Sequence, residues 1–373
     1  MDNFPKGVYI YFGPSAWFFH NVPKEYHSIV DIAFENDSFH KSITIRGVSD
    51  EQPRPSYVNV VASADDYSSL NAHVIQNFIG FLREFDGETL YLHNPPTSIC
   101  KQIERVFPSV RIEPYAYQAL SMNHLELIDR NFSDTIIGQD RVKSRLLAAL
   151  YPVVKQSRTK PLVLMFYGPS GVGKTETAKY IASLLDGKLL RKQFSMFQTN
   201  DFASYLFGGN HSESSFAKDL LNRESNVILI DEFDKSNPVF HSAFYQIFDE
   251  GLYEDKNYHL SVEHAIIICT SNYTSEDEIR ENLGDPIFSR FSAIIPFLPL
   301  AREAIRTIIE RTIEREYNGL ESDEQSRIDF AAMKEKLTAL ADTLKNVREI
   351  QRLVNEVFSL HLVRCILGNS NNS

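Results

Sequence analysis

The clearest chemical capacity in this chain lies at Gly168-Pro169-Ser170-Gly171-Val172-Gly173-Lys174-Thr175-Glu176, directly after the apolar run Leu162 to Tyr167. Glycines at this spacing let successive backbone N–H groups turn inward. A helix beginning there adds the positive end of its dipole, and together they make a seat for a polyphosphate. Lys174 stands where it reaches β and γ phosphates, and Thr175 where it ligates Mg²⁺. Farther on, Val227-Ile228-Leu229-Ile230 is the continuous apolar run of a parallel strand buried on both faces, and it ends in Asp231-Glu232. Asp231 is placed to hold the ion through water, and Glu232 to polarise an attacking water. An acidic pair can also simply mark a strand end at the surface. Downstream of a phosphate loop, the pair favours hydrolysis over transfer to a small acceptor.

These residues need a scaffold, and the apolar patterning supplies one. Between about 125 and 300, strands are expected at Leu162 to Tyr167, Leu189 to Phe194, Val227 to Asp231, Ala265 to Thr270 and Ala293 to Phe297, alternating with helices. That alternation predicts an α/β fold with a five-stranded parallel sheet, and it gathers the motifs at the carboxyl ends of the strands. From 301 to 368 the pattern is helical: Arg302 to Tyr317, a polar loop with Ser322 and Asp323, Phe330 to Leu344, and Val347 to Leu367. The polar tail 369–373 is expected to be disordered. Residues 1–124 form a separate small mixed α/β domain. Its expected strands are Val8 to Phe12, Ser42 to Val48, Tyr57 to Ala62, Thr89 to His93 and Val110 to Tyr115. A helix is expected through Leu70, Val74, Ile75, Phe78, Phe81, Leu82 and Phe85, and another from Thr97, as its cap, to Phe107.

In order along the chain stand Ile136-Ile137-Gly138-Gln139, the phosphate loop, Ile228 to Lys235, Ile266 to Asn272, Ile287 to Phe291 with Pro296 to Leu300, and Asn346 to Arg352. With these segments, residues 134–355 resemble the AAA+ ATPases, and among them the Clp-type unfoldases. The resemblance implies a P-loop NTPase sheet with a C-terminal helical lid, ATP and Mg²⁺ as ligands, and a homo-oligomeric ring, a hexamer first of all. It implies that Ile136 and Ile137 pack on adenine and that Asn272 orients water against the γ phosphate. It also implies that Arg290 reaches a neighbouring subunit's nucleotide and that Arg348 contacts phosphate from the lid. On residue type alone, the isoleucines are equally core, Asn272 a turn residue, and the two arginines solvated charges.

Two departures from the Clp pattern bear on mechanism. The stretch Ser204-Tyr205-Leu206-Phe207-Gly208-Gly209-Asn210-His211 passes quickly to a helix near Ser215, so the aromatic-glycine loop that grips a threaded polypeptide is shortened. Tyr205 or Phe207 can face a pore, but their spacing to Gly208 fits a packed helix end equally well. The interval between Asn272 and Arg290 is also short, which argues against a peptidase partner.

The 373 residues are 43% hydrophobic, enough for two or three domains. A formal charge of −11 does not indicate nucleic acid as a partner. Cys100, Cys269 and Cys365 are too scattered for a disulfide framework or metal site and suit a reducing cytoplasm. No run is long enough to span a bilayer, and the N-terminus lacks a leader pattern. In the first domain, His20, His27, His40, His73, His93, Asp31, Asp65 and Asp66 lack ligand spacing, and Trp17-Phe18-Phe19 reads as core. A recognition or docking role for this domain remains. The whole reads as a ring ATPase that remodels or switches a protein partner recruited by residues 1–124. The alternatives are a nucleotide-gated scaffold controlling a separate effector, possibly one acting on nucleic acid, and a module that ATP binding alone orders.

Overall fold

The computed structural model describes residues 5–35, 54–155, 160–196, 201–235 and 238–369. Its N-terminal sheet comprises β1 (Gly7–Phe12), β2 (His27–Ser28), β3 (Ser56–Ala62), β4 (Asp86–His93) and β5 (Val110–Pro114), in the order β2-β3-β4-β1-β5. Every pairing is parallel, so the expected mixed domain is a parallel α/β layer. The strand expected over 42–48 lies outside the described residues. Side chains alternate across β1: Val8 and Ile10 enter a core with Leu90, Leu92, Ile99 and Ile103, while Tyr11 packs on the opposite face with Phe18 and Val61. Within Trp17-Phe18-Phe19 only Phe18 is fully buried, and Phe19 is 46% exposed.

The single helix expected through 70–85 is three short ones, Asp66–Ser69, Ala72–Gln76 and Phe78–Leu82. Leu70 and Asn71 have extended backbones and Asn77 is non-helical, which interrupts the ladder. The apolar positions are nonetheless core, since Leu70, Ile75, Phe78, Phe81, Leu82 and Phe85 are all buried. The helix Thr97–Val106 is capped by Pro96, with Thr97 its first residue rather than its cap.

The second sheet is built from β6 (Leu162–Tyr167), β7 (Leu190–Gln193), β8 (Val227–Asp231), β11 (Ile266–Thr270) and β12 (Ala293–Pro296). A hairpin of β9 (Leu252–Glu254) and β10 (His259–Ser261), not anticipated from the sequence, stands apart from it. The sheet order is β12-β6-β11-β8-β7, entirely parallel. Both faces of its centre are covered. Leu164, Phe166, Leu229 and Ile268 enter one core, and Val163, Met165, Ile228, Ile230 and Ile267 the other. This is why β6, β8 and β11 are unbroken apolar runs rather than alternating ones.

The helices Arg302–Asn318, Phe330–Thr338 and Val347–Asn369 follow. The expected polar loop contains a short helix, Ser322–Gln325, and the helix expected to reach Leu344 gives way to a 3-10 turn at Ala339–Asp342. Ile305, Ile309, Met333, Leu337, Ile350 and Val354 join the core beneath β6 and β8. Residues 370–373 of the expected tail lie outside the described residues, and Asn369 ends the last helix. Among the described residues, no helix is long and apolar enough to cross a membrane.

The carboxyl side of the N-terminal sheet abuts the segment preceding β8 and the turn of the β9-β10 hairpin. Ser15 donates through N–H (2.8 Å) and Oγ (2.9 Å) to Asn222 Oδ1, and the Thr97 N–H donates to the Asn257 carbonyl at 2.8 Å. His211 Nε2 donates to Leu70 O at 2.9 Å, and Lys218 Nζ donates to Ser68 Oγ at 3.3 Å. A file of rings leads across the same boundary, with Trp17 to Tyr115 at 5.4 Å and Tyr115 to Tyr117 at 4.9 Å between centres. It ends at Arg223, whose guanidinium lies 4.3 Å from the Tyr117 ring centre. Arg223 is only 6% exposed, and burial pushes its pKa down. The cation is held by Leu220 O at 2.5 Å, by Asn226 Oδ1 at 3.3 Å and by the ring face. Replacing Arg223 with Ala should cost about 2 kcal/mol, by removing the cation–π contact and the donor to one buried and one half-buried acceptor. Denaturant unfolding followed through Trp17, the one tryptophan, checks this; an unchanged midpoint would contradict it.

Candidate functional site

The 168–175 segment turns between β6 and the helix Lys174–Ser183 as the sequence requires. Gly168, Gly171 and Gly173 have φ of 132°, 74° and 109°. Gly168 is also confined, since a Cβ there would lie 2.1 Å from the Phe297 carbonyl oxygen. Gln139, 3% exposed, clamps the loop to the end of β12: its Nε2 donates to Val172 O (3.3 Å) and Leu298 O (2.8 Å), and its Oε1 accepts from Leu298 N–H at 3.2 Å. The last helix presses from the other side, with Val347 N–H donating to Gly171 O at 3.0 Å.

One cleft gathers Ser170, Gly171, Gly173, Lys174, Thr175, Glu176, Asp231, Glu232, Asn272 and Arg348. Lys174 is 8% exposed, and its Nζ donates to Gly168 O (2.5 Å), Pro169 O (2.8 Å) and Asn272 Oδ1 (3.4 Å). Arg348 Nη1 donates to Ser170 Oγ at 2.9 Å. A second hollow shares Gly173, Glu176, Val347 and Gln351 with the first, and is lined also by Ile136, Ile137, Ile308 and Thr312. Its isoleucine wall suits a flat base, and Arg311 and Arg315 line its rim. Ile136 is 3% exposed and therefore core as well as wall, while Ile137 is only partly buried. Pro169 and Val172 shape the loop without lining the phosphate cleft.

The acidic pair is held by partners that the motif reading missed. Asp231 Oδ2 accepts a fork from Arg191, Nε at 3.0 Å and Nη2 at 2.6 Å, and Oδ1 accepts from the Thr270 hydroxyl. Glu232 has φ of 57°, a left-handed conformation costing on the order of 1–2 kcal/mol for a residue with a Cβ. It is held there by its N–H to Thr270 Oγ1 at 3.0 Å, while Oε2 accepts from Gln193 Nε2 at 3.1 Å. The available signal was Arg191-Lys192-Gln193, a polar run inside an otherwise apolar strand pattern.

Arg290 stands outside the cleft. Its Nε donates to Asp249 Oδ2 at 2.8 Å and its guanidinium lies 4.5 Å from the Tyr245 ring centre. Tyr205 is 6% exposed with its hydroxyl on Asp219 Oδ2 at 2.5 Å, which is the packed-helix alternative, whereas Phe207 is 44% exposed. The thiols of Cys100, Cys269 and Cys365 are free, and burial pushes Cys100 up to about 12.

The residues present fit a polyphosphate with a divalent cation. A glycine cradle meets a lysine and a hydroxyl, and the buried Ser271 Oγ, in a residue lining the cleft, has no hydrogen-bond partner among the described residues. Burial lowers Lys174 to about 8 from its ordinary 10.5, against the opposing pull of Asp231 and Asp234. Because the folded pKa is the lower one, the unfolded chain holds the extra proton between these values, and stability rises as pH passes from about 8 toward 10.5. The ammonium therefore costs stability below that window. Lys174→Met should leave the nucleotide-free protein at least as stable at neutral pH, with its advantage shrinking across the window. Denaturant midpoints against pH test this, and a pH-independent loss of stability would contradict it.

Comparison with known proteins bears on the family and the fold. A family model described as "AAA domain (Cdc48 subfamily)" matches residues 160–331. A ClpA homolog protein of Fuscovulum blasticum is 28% identical over 57% of this chain and 31% of its own length. The chaperone protein ClpB of Yersinia enterocolitica is 30% identical over 46% of this chain and 23% of its own. The chain thus spans about a third or less of these relatives. Among solved structures, a closed-state reconstruction of Hsp104 with ATPγS and FITC casein aligns over 96% of this chain and 88% of its own, with a TM-score of 0.56 and 14% identity. An S. cerevisiae Hsp104–ADP complex aligns over 67% of this chain and 50% of its own, with a TM-score of 0.53 and 23% identity. At such identities the likeness is one of fold. Residues 160–331, which hold the phosphate loop and the acidic strand end, are thus an AAA domain similar to those of the Clp-type AAA+ ATPases.

Proposed function

We propose that this chain hydrolyses ATP with Mg²⁺ in a homo-oligomeric ring, a hexamer in the first instance, and uses the energy to remodel or switch a protein partner engaged through residues 1–124. The cytoplasm, where its three free thiols would stay reduced, is the compartment this reading assigns. The convergence of Lys174, Asp231, Glu232, Asn272 and Arg348 on one cleft carries the reading. Thr175 and Asp231 would hold the metal ion, which when bound neutralises phosphate charge. Lys174 exchanges its loop carbonyls for phosphate oxygens. Glu232, kept in place by Gln193 and the Thr270 hydroxyl, orients the attacking water and takes up its proton on the carboxylate. Asn272 fixes that water's far side, and Arg348 carries the lid onto the phosphates. The hollow beside Ile136 and Ile137 receives the base.

Glu232→Gln keeps the shape and hydrogen bonding but removes the base. ATP turnover should fall by a factor on the order of 10² or more while nucleotide binding persists. Steady-state turnover alongside nucleotide titration measures both, and unaltered turnover would remove Glu232 from its role. Arg290 is assigned to the neighbouring subunit's nucleotide. Arg290→Ala should bind ATP normally but hydrolyse it on the order of 10³-fold more slowly. Mixing it with Lys174→Met protomers should restore part of the activity, because an intact Arg290 then faces an intact cleft. Hydrolysis by isolated Arg290→Ala protomers at the parent rate would overturn the assignment.

A second reading, a nucleotide-gated scaffold that does not thread polypeptide, gains support from one feature. Tyr205 is buried and the segment after it is bonded through His211 and Lys218 to Leu70 and Ser68, at the end of the helix Asp66–Ser69, rather than standing free as a gripping loop.

A further inference from the structure

The metal-binding carboxylate of the proposed site carries a guanidinium of its own. Arg191 lies on β7, the edge strand of the sheet, where Gln193 rather than Arg191 is the register partner of Asp231. Its fork reaches past that register to a single oxygen of Asp231, while the Thr270 hydroxyl takes the other. Both oxygens are therefore engaged in a carboxylate whose side chain is only 9% exposed. The Arg191 side chain is 41% exposed, so it can withdraw into solvent without breaking the core.

We propose that Arg191 is a positioning residue for Asp231: it fixes the carboxylate's orientation and offsets its charge, so that a divalent cation enters with the nucleotide and not before it. The proposal rests on the reading of Asp231 as the metal carboxylate. Mg²⁺ holds on to its water and is usually bound through one or two carboxylates together with substrate phosphates. Asp231 neutralised by a bidentate arginine offers such an ion little alone. The phosphates supply the missing charge, and they also attract the guanidinium, whose planar fork matches phosphate as well as carboxylate. Until they arrive, the same fork fixes the carboxylate's orientation. Metal entry and phosphate entry are thereby coupled through one side chain.

The experiment titrates Mn²⁺ into the full chain, with and without ADP, and reads free ion by electron paramagnetic resonance. Without nucleotide, Arg191→Gln should bind Mn²⁺ about tenfold more tightly than the parent, equivalent to ~1.4 kcal/mol. Arg191→Lys, which keeps the charge but loses the fork, should fall between the two. Adding Asp231→Asn to Arg191→Gln should abolish the gain. Parent-like or weaker binding by Arg191→Gln, as a purely structural arginine would give, overturns the proposal, and so does a gain that survives Asp231→Asn. Should Arg191→Gln not fold, Arg191→Lys decides alone, and binding equal to the parent overturns it. Asp231→Asn by itself, measured with ADP, tests the underlying reading separately. If it leaves Mn²⁺ binding intact, Asp231 is not the metal carboxylate; if it weakens binding while Arg191→Gln changes nothing, only the role given to Arg191 fails.

Discussion

Two adjacent carboxylates at the end of a strand buried on both faces are the constraint around which the rest is arranged. Asp231 is 6% exposed, and an ionised carboxylate at that depth persists only with charge and hydrogen-bond partners. Arg191, Thr270 and the nearby Lys174 provide them for Asp231, while Gln193 donates to the Glu232 carboxylate. Thr270 has two duties at once, donating to one acid and accepting from the backbone of the next. That single hydroxyl links β11 to β8 at the point where the chain must leave its strand in a left-handed turn.

The supports come from a strand whose alternation faces two ways. Arg191 and Gln193 point to the acidic pair, whereas Lys192 between them points to the other face and pairs with Asp219 at 2.6 Å. Asp219 sits on the helix Phe216–Leu221, which also bears Lys218, bonded to Ser68, and leads to Asn222, bonded to Ser15. A strand with period two thus joins the acidic pair to the seam with the N-terminal domain within three consecutive residues. Tyr205 belongs to the same arrangement, since its hydroxyl lies on Asp219 and its ring is packed against Phe216.

Much of this was legible in the sequence because it depends on local rules. Glycines at 168, 171 and 173 announce positive φ, and unbroken apolar runs ending in polar residues announce buried parallel strands. Strand limits at Leu162–Tyr167 and Val227–Asp231 follow directly. The helix expected through 70–85 failed because apolar spacing reports which residues are buried and not whether the backbone between them is continuous. Asn71 and Asn77 stop the hydrogen-bond ladder while their apolar neighbours still reach the core. The all-parallel order of the N-terminal sheet was hidden for another reason, since pairing partners are set by long-range packing that periodicity does not encode.

Arg191 shows the same limit at the site itself. A motif identifies groups that would touch the ligand, because their types and spacing are dictated by its chemistry. The groups that hold those residues in place answer only to local geometry, and Arg191 precedes Asp231 by 40 positions. Its reach across the strand exists only once β7 is laid beside β8 with Gln193 opposite Asp231. On an edge strand, a half-exposed arginine reads from sequence as a solvated charge. Placed against a carboxylate with little other access to water, the same residue becomes its counter-charge and its principal donor.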